Sequence, residues 1–159
     1  MEFVINDQGR GSVRATISRG RPQRIFVVED DAATREAMVG ALLDEGHEVI
    51  GVEDGAKLLE CLRTIVDTGL RAPDLIAMDV RMPGRSGIAI LESLRRHGWT
   101  TPIVLVTSFV SNELKFRVEV AGSADIVEKP FDPDELQSAA WRACTHSNYF
   151  EPCERAWFR

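Results

Sequence analysis

Asp74-Leu75-Ile76-Ala77-Met78-Asp79-Val80-Arg81-Met82-Pro83-Gly84 is the stretch on which the reading of this 159-residue chain turns. An unbroken apolar run ends on the carboxylate of Asp79, and the turn formers Pro83 and Gly84 follow. A short continuous apolar run bounded by turn signals fits a strand buried on both faces. Three other runs end on polar groups in the same way. Ile25-Phe26-Val27-Val28 ends at Glu29-Asp30-Asp31, Ile103-Val104-Leu105-Val106 at Thr107-Ser108, and Ala124-Asp125-Ile126-Val127-Glu128 at Lys129-Pro130. If the strands lie parallel, three acids, a hydroxyl and an amine meet along one edge of the sheet.

Strand and helix signals alternate five times, which is the pattern of an α/β fold with a parallel sheet. Strands are expected near 25–29, 48–52, 74–79, 102–107 and 124–128. A first helix is expected over about 32–45, with Asp31 as N-cap, Gly46 as its stop and Ala37, Met38, Ala41 and Leu42 as its apolar stripe. A second is expected over about 55–68 with Leu58, Leu62 and Ile65 inward, and a third over about 87–97. A fourth follows Ser111 and stops at Gly122, and a fifth follows Pro133 with Leu136, Ala140 and Ala143 on one side. The fourth helix has two apolar faces. Leu114, Val118 and Ala121 share one, and Phe116 and Val120 point nearly opposite. The second face reads either as scattered exposed apolar residues or as a partner surface.

Length and composition suit one soluble domain. No apolar run approaches the roughly 20 residues that span a bilayer, and the start lacks a signal-peptide pattern. Cys61, Cys144 and Cys153 are odd in number and lack zinc spacing, which suits reduced thiols in a cytoplasmic protein. Cys144, His146 and Cys153 lack a fourth partner for structural zinc. The net charge of −6 is uneven: residues 1–24 carry +3, residues 146–159 carry 0, and 25–145 carry −9. An acidic body disfavours direct nucleic-acid binding. The organisation expected is an extension over 1–23, either disordered or a docked hairpin of Phe3-Val4-Ile5 with Ser12 to Ser18, a domain over 24–146, and an aromatic tail over 147–159. No second domain is expected at either end.

Glu29, Asp30 and Asp79 offer the oxygen ligands that Mg²⁺ prefers, and clustered acids without a cation raise one another's pKa. Asp79 is the natural nucleophile for an acyl phosphate, with Thr107 and Lys129 placed to contact phosphoryl oxygens. Taken singly, Asp79 also reads as a turn or helix cap and Lys129 as a surface amine. Their joint placement at four strand ends favours metal-assisted phosphoryl chemistry.

The segment Asp74 to Gly87 resembles the phosphoacceptor segment of the receiver domains of two-component response regulators. Val27-Val28-Glu29-Asp30-Asp31 is similar to that family's acidic cluster, Thr107-Ser108 to its hydroxyl position and Glu128-Lys129-Pro130-Phe131 to its lysine motif. The resemblance covers about 25–145. It implies a flavodoxin-like, doubly wound, five-stranded parallel sheet of order 2-1-3-4-5 with five helices. It implies a phosphoacceptor at Asp79, loaded by a histidine kinase or histidine phosphotransferase. It implies Mg²⁺ held by Asp30 and Asp79 directly, by Glu29 through water and by the backbone carbonyl of Arg81. It also implies a cis peptide between Lys129 and Pro130. The family's acid pair directly follows the strand, which selects Glu29 and Asp30 and leaves Asp31 to cap the helix.

The chain departs from the family in three places. The segment between Asp30 and Asp79 is longer than usual, as a longer second helix or exit loop. Ile126 stands three residues before Lys129, where the family has an aromatic switch residue, so coupling is expected through the loop after Thr107 and the fourth helix. Phe109 and Arg81, two residues past Thr107 and Asp79, occupy positions that tune phosphoryl lifetime, and a bulky Phe109 is expected to slow self-dephosphorylation. The function expected is a stand-alone phosphorylation switch without an output domain, in which phosphorylation alters the surface of the fourth helix, fifth strand and fifth helix for a downstream protein or a homodimer contact. The alternative is a phosphorylation-independent interaction module, for which the full acid, hydroxyl and lysine set would be unnecessary. An aspartyl-phosphate hydrolase is disfavoured by Arg81, which stands where a second acid would activate water. The segment Gly51 to Lys57 lacks P-loop spacing.

Overall fold

The sequence alternation is realised as five strands and five helices in a computed structural model that describes residues 4–5, 11–12, 21–122 and 124–146. The strands are β1 (Arg24–Val28), β2 (Glu48–Val52), β3 (Leu75–Asp79), β4 (Ile103–Thr107) and β5 (Ala124–Glu128). The helices are α1 (Ala32–Leu43), α2 (Gly55–Thr68), α3 (Gly87–Arg96), α4 (Asn112–Ala121) and α5 (Pro133–His146). All five strands pair in parallel, in the order β2-β1-β3-β4-β5. This is the doubly wound 2-1-3-4-5 sheet that the family resemblance implies. The order reverses between β1 and β3, and in such sheets the crevice at the carboxyl ends of those two strands is the ligand site.

Alternate residues of the strands feed two cores, because side chains switch faces at every step. Phe26, Val28, Ile76, Met78, Ile103 and Leu105 pack with Leu58 and Leu62 of α2, Ile90 and Leu91 of α3, and Leu114 and Val118 of α4. Ile25, Val27, Leu75, Ala77, Val104 and Val106 pack with Met38 and Leu42 of α1 and Leu136 and Ala140 of α5. Every residue of β3 and β4 is buried. That explains their continuous apolar sequences, and each fully buried Leu or Ile stabilises by about 1.5–3 kcal/mol.

Helix starts follow their capping residues. Asp31, Asp54, Ser86 and Ser111 each accept a hydrogen bond from the backbone N–H three residues on. Two expectations for α1 need correction. It ends at Leu43 rather than near 45, with Asp44 as C-cap, and Gly46 (φ 82°) makes the turn beyond it. Ala37 is exposed, not part of the inner stripe. It lies roughly 100° round the helix from Met38, and Val39 packs against the core instead. α5 begins at Pro133 itself, whose fixed φ and missing N–H suit a first helical turn.

A separate antiparallel pair joins Val4–Ile5 to Gly11–Ser12. The rest of the expected hairpin, Cys153 and the aromatic tail lie outside the described residues, as does the side chain of His146. Among the described residues, no helix is long and apolar enough to cross a membrane.

Arginines tie α4 to α3. Arg117 makes a two-point contact with Glu92, at 2.7 and 2.9 Å. Arg95 donates to the carbonyls of Trp99 (2.6 Å), Thr101 (2.9 Å) and Gly122 (3.1 Å). Burial pushes its guanidinium down to about 10, still charged at neutral pH.

The loop after Asp79 rests on Gly87. Its N–H donates to the Val80 carbonyl at 2.9 Å. A Cβ at Gly87 would stand 2.2 Å from the Asp79 carbonyl oxygen and 3.2 Å from Val80 Cα. These are backbone atoms, so the loop would have to move. Gly87→Ala is expected to lower the unfolding free energy by about 1–3 kcal/mol, read from urea denaturation. An unchanged midpoint would mean that the loop yields without strain.

Candidate functional site

Four strand ends deliver the polar groups to one edge. Asp79 is the last residue of β3, Thr107 the last of β4, Glu29 directly follows β1, and Lys129 directly follows β5. Backbone hydrogen bonds continue past the strands and fix these ends to one another. Glu29 N donates to Val52 O (3.1 Å), Val80 N to Val106 O (2.9 Å) and Lys129 N to Thr107 O (2.7 Å). The Lys129–Pro130 peptide is cis.

Among the described residues, the polar or charged side chains that are buried are Glu29, Asp79 and Thr107, exposed by 2, 4 and 1%. Lys129 Nζ bridges the two acids, at 2.7 Å from Glu29 Oε2 and 3.0 Å from Asp79 Oδ1. Burial alone would lower the Lys129 pKa, but the hydrogen bonds it donates to Glu29 and Asp79 outweigh it and leave the amine above its ordinary value. Glu29 is shifted the other way for an acid. Its burial raises its pKa more than the hydrogen bonds from Lys129 and the Asp31 N–H lower it.

Glu29, Asp30 and Asp79 can each place one carboxylate oxygen within 4.8 Å of the others. The donors are all oxygen, as Mg²⁺ or another hard cation requires. Three carboxylates against one ammonium leave a formal charge of −2, which a divalent ion balances. Asp30 is exposed and borders a cleft of about 910 Å³ beside Glu53, Asp54, Leu59, Pro83 and Gly84. Asp31 is separate from this cluster. Its carboxylate caps α1 by accepting from Thr34 N and Oγ1 at 2.8 and 2.7 Å, and the Thr34 side-chain bond foremost lowers its pKa.

The Thr107 hydroxyl engages the loop that leads to α4. It donates to Phe109 O at 3.2 Å and accepts from Phe109 N at 3.3 Å. Ser108, Arg81 and Phe109 are exposed. Ile126 is half-buried against the α2–α3–α4 core. Phe116 and Val120 lie outside the cluster, on the outer face of α4, 65 and 71% exposed, whereas Leu114 and Val118 are buried.

Two contributors were missed in the sequence. Gly87 admits the Asp79 backbone, and Arg35 of α1 donates to the carbonyls of Glu29 (2.8 Å) and Asp30 (3.4 Å). Gly87 stands in the quoted motif, but its contact spans eight positions of chain. Arg35 follows Asp31 by one helical turn and reads simply as a solvated helix residue.

The family model of the response regulator receiver domain matches residues 25–140. The chain is 30% identical over 122 residues to the DNA-binding transcriptional regulator NtrC of Escherichia coli (strain K12), covering 77% of this chain and 25% of that protein. It is 36% identical over 113 residues to the transcriptional regulatory protein DltR of Streptococcus agalactiae, covering 71% of this chain and 48% of that one. The chain thus spans a quarter to about half of these curated relatives. The structure of chemotaxis protein CheY4 of Vibrio cholerae superposes with a TM-score of 0.66 at 27% identity, covering 77% of this chain and 99% of that one.

Because its pKa is raised, folded Glu29 holds its proton more tightly than the unfolded chain does. That contribution is fully present below the ordinary glutamate range and is lost as pH rises through the raised folded value. Glu29→Gln does not titrate. Without divalent cation, its stability should therefore gain on the wild type as pH rises from about 4 to neutrality, read from paired thermal midpoints. A glutamine variant that loses ground as pH rises would mean that pairing with Lys129 outweighs burial.

Proposed function

This chain belongs to the response regulator receiver domain family, and on that premise we propose that it is a phosphorylation-dependent switch with Asp79 as phosphoacceptor. The observation that carries this reading is the Lys129 bridge to Glu29 and Asp79, beside Asp30 and with Thr107 at the next strand end. One Asp79 carboxylate oxygen attacks the phosphorus of a phosphohistidine on a kinase or phosphotransferase. The new P–O bond forms as the P–N bond breaks, and the imidazole leaves with the electron pair.

Glu29, Asp30, Asp79 and the Arg81 carbonyl are the groups assigned to Mg²⁺. When bound, the ion neutralises charge on the acids and on the transferring phosphoryl group. Lys129 meets one phosphoryl oxygen as its hold on the Asp79 carboxylate loosens. The Thr107 hydroxyl takes another, with Ser108 beside it in the chain. Phe109 and Arg81 tune the lifetime of the product by governing the approach of water. The chain acts as a phosphoacceptor rather than a turnover enzyme, in the cytoplasm.

To reach a phosphoryl oxygen, Thr107 must give up one or both of its bonds to the Phe109 peptide. That peptide lies two residues before Ser111, the N-cap of α4. Release of the loop gives a route to the surface that does not need an aromatic at Ile126. The outer face of α4, with Phe116 and Val120, is then the partner surface for a kinase, a downstream protein or a second copy of the chain.

Incubation with Mg²⁺ and a small phosphodonor should add the mass of one phosphoryl group to the wild type and none to Asp79→Asn. Removal of Mg²⁺ should abolish the addition. No gain in the wild type would favour a phosphorylation-independent interaction module.

A further inference from the structure

We propose that Arg35 is a positioning residue for the cation site, acting on the backbone of the acid turn rather than on its carboxylates. The inference rests on the reading of Glu29, Asp30 and Asp79 as cation ligands. Beyond the end of β1, the Glu29 N–H is held by Val52 O, which fixes one side of the turn. Arg35 secures the other side. Its Nη1 donates to Glu29 O at 2.8 Å and reaches Asp30 O at 3.4 Å, so one guanidinium nitrogen orients the two successive peptides that carry Glu29 and Asp30.

The stem of Arg35 is guided by a second position. It runs over Gly51 of β2, where a Cβ would stand 3.4 Å from Arg35 Cδ and 3.6 Å from Cγ. A methyl there would make an ordinary contact, whereas a branched side chain would extend into the stem. Gly51 pairs with Val27 in the ladder, two residues before Glu29, so the guide is tied to the strand that presents the acids.

Charge and position predict opposite signs. A guanidinium beside the site repels a cation, so its charge alone makes Arg35 a hindrance. A residue that orients the ligands assists binding, and loss of such outer partners typically weakens metal affinity by about tenfold or more. Removal of the side chain therefore separates the two accounts by direction.

The test is Mg²⁺ titration of the full chain by calorimetry at fixed ionic strength, with Asp30→Asn as the variant that removes a ligand. The wild type should bind, and Asp30→Asn should not. Arg35→Gln should bind about tenfold more weakly, Arg35→Lys, with the charge and one donor group, should recover part of the loss, and the Glu29 and Asp30 amide resonances should shift in Arg35→Gln before Mg²⁺ is added. Gly51→Val displaces the stem and keeps the charge, and it should weaken binding in the same direction, so it carries the test if Arg35→Gln does not fold. Equal or tighter binding by Arg35→Gln, or by Gly51→Val in its place, would overturn the inference while the cation site stands. A wild type that does not bind Mg²⁺, or that binds no better than Asp30→Asn, would overturn the cation site and the inference with it.

Discussion

One ammonium group holds two buried carboxylates together at the edge of the sheet, and the rest of the site depends on it. Lys129 contacts Glu29 and Asp79 at once, with both acids almost wholly withdrawn from water. Buried acids of like charge are costly unless paired, and taking one partner from a buried pair typically costs about 3–5 kcal/mol. The sheet order makes the pairing possible. β1 and β3 are neighbours, and the Lys129 side chain, starting beside the end of β4, reaches across to both acids. The arrangement is poised rather than optimal. Glu29 keeps a raised pKa despite its amine partner, because burial outweighs the pairing.

The groups around this centre divide by what holds them. Asp79 is fixed within a fully buried strand, and the backbone that follows it rests on Gly87. Thr107 is fixed at its backbone, but its hydroxyl bonds to the Phe109 peptide. The partners of that hydroxyl thus lie on the segment before α4 and not in the sheet. The far end of α4 is held by Arg95 on the Gly122 carbonyl, and its middle by Arg117 on Glu92. α4 is thus tied to α3 at its middle and its far end, and its N-cap Ser111 lies two residues past Phe109.

Much of this was legible in the sequence. Apolar runs that end on a carboxylate or a hydroxyl located the ends of β1, β3 and β4, because a doubly covered parallel strand has no room for polar residues before its end; β5, with Asp125 inside it, is only partly buried. The two apolar faces of α4 followed from helical spacing, and the exposure of Phe116 and Val120 agrees with it. The end of α1 and the outward turn of Ala37 did not, because alanine is compatible with either face and helix ends depend on local caps. The hold of Arg35 on the acid turn was also out of reach. A long side chain can fold back or extend into water, and residue order does not say which. The bonds between Thr107 and Phe109 are likewise a choice of rotamer, invisible in residue order.

On the proposed reading, the state of Asp79 passes through Thr107 and Phe109 to α4. Amide chemical shifts of the full chain with Mg²⁺, recorded with and without a phosphoryl mimic, test it most directly. The account predicts shifts at Thr107 to Phe109 that continue into the first turn of α4. Similar shifts along α4 in the two states would contradict it.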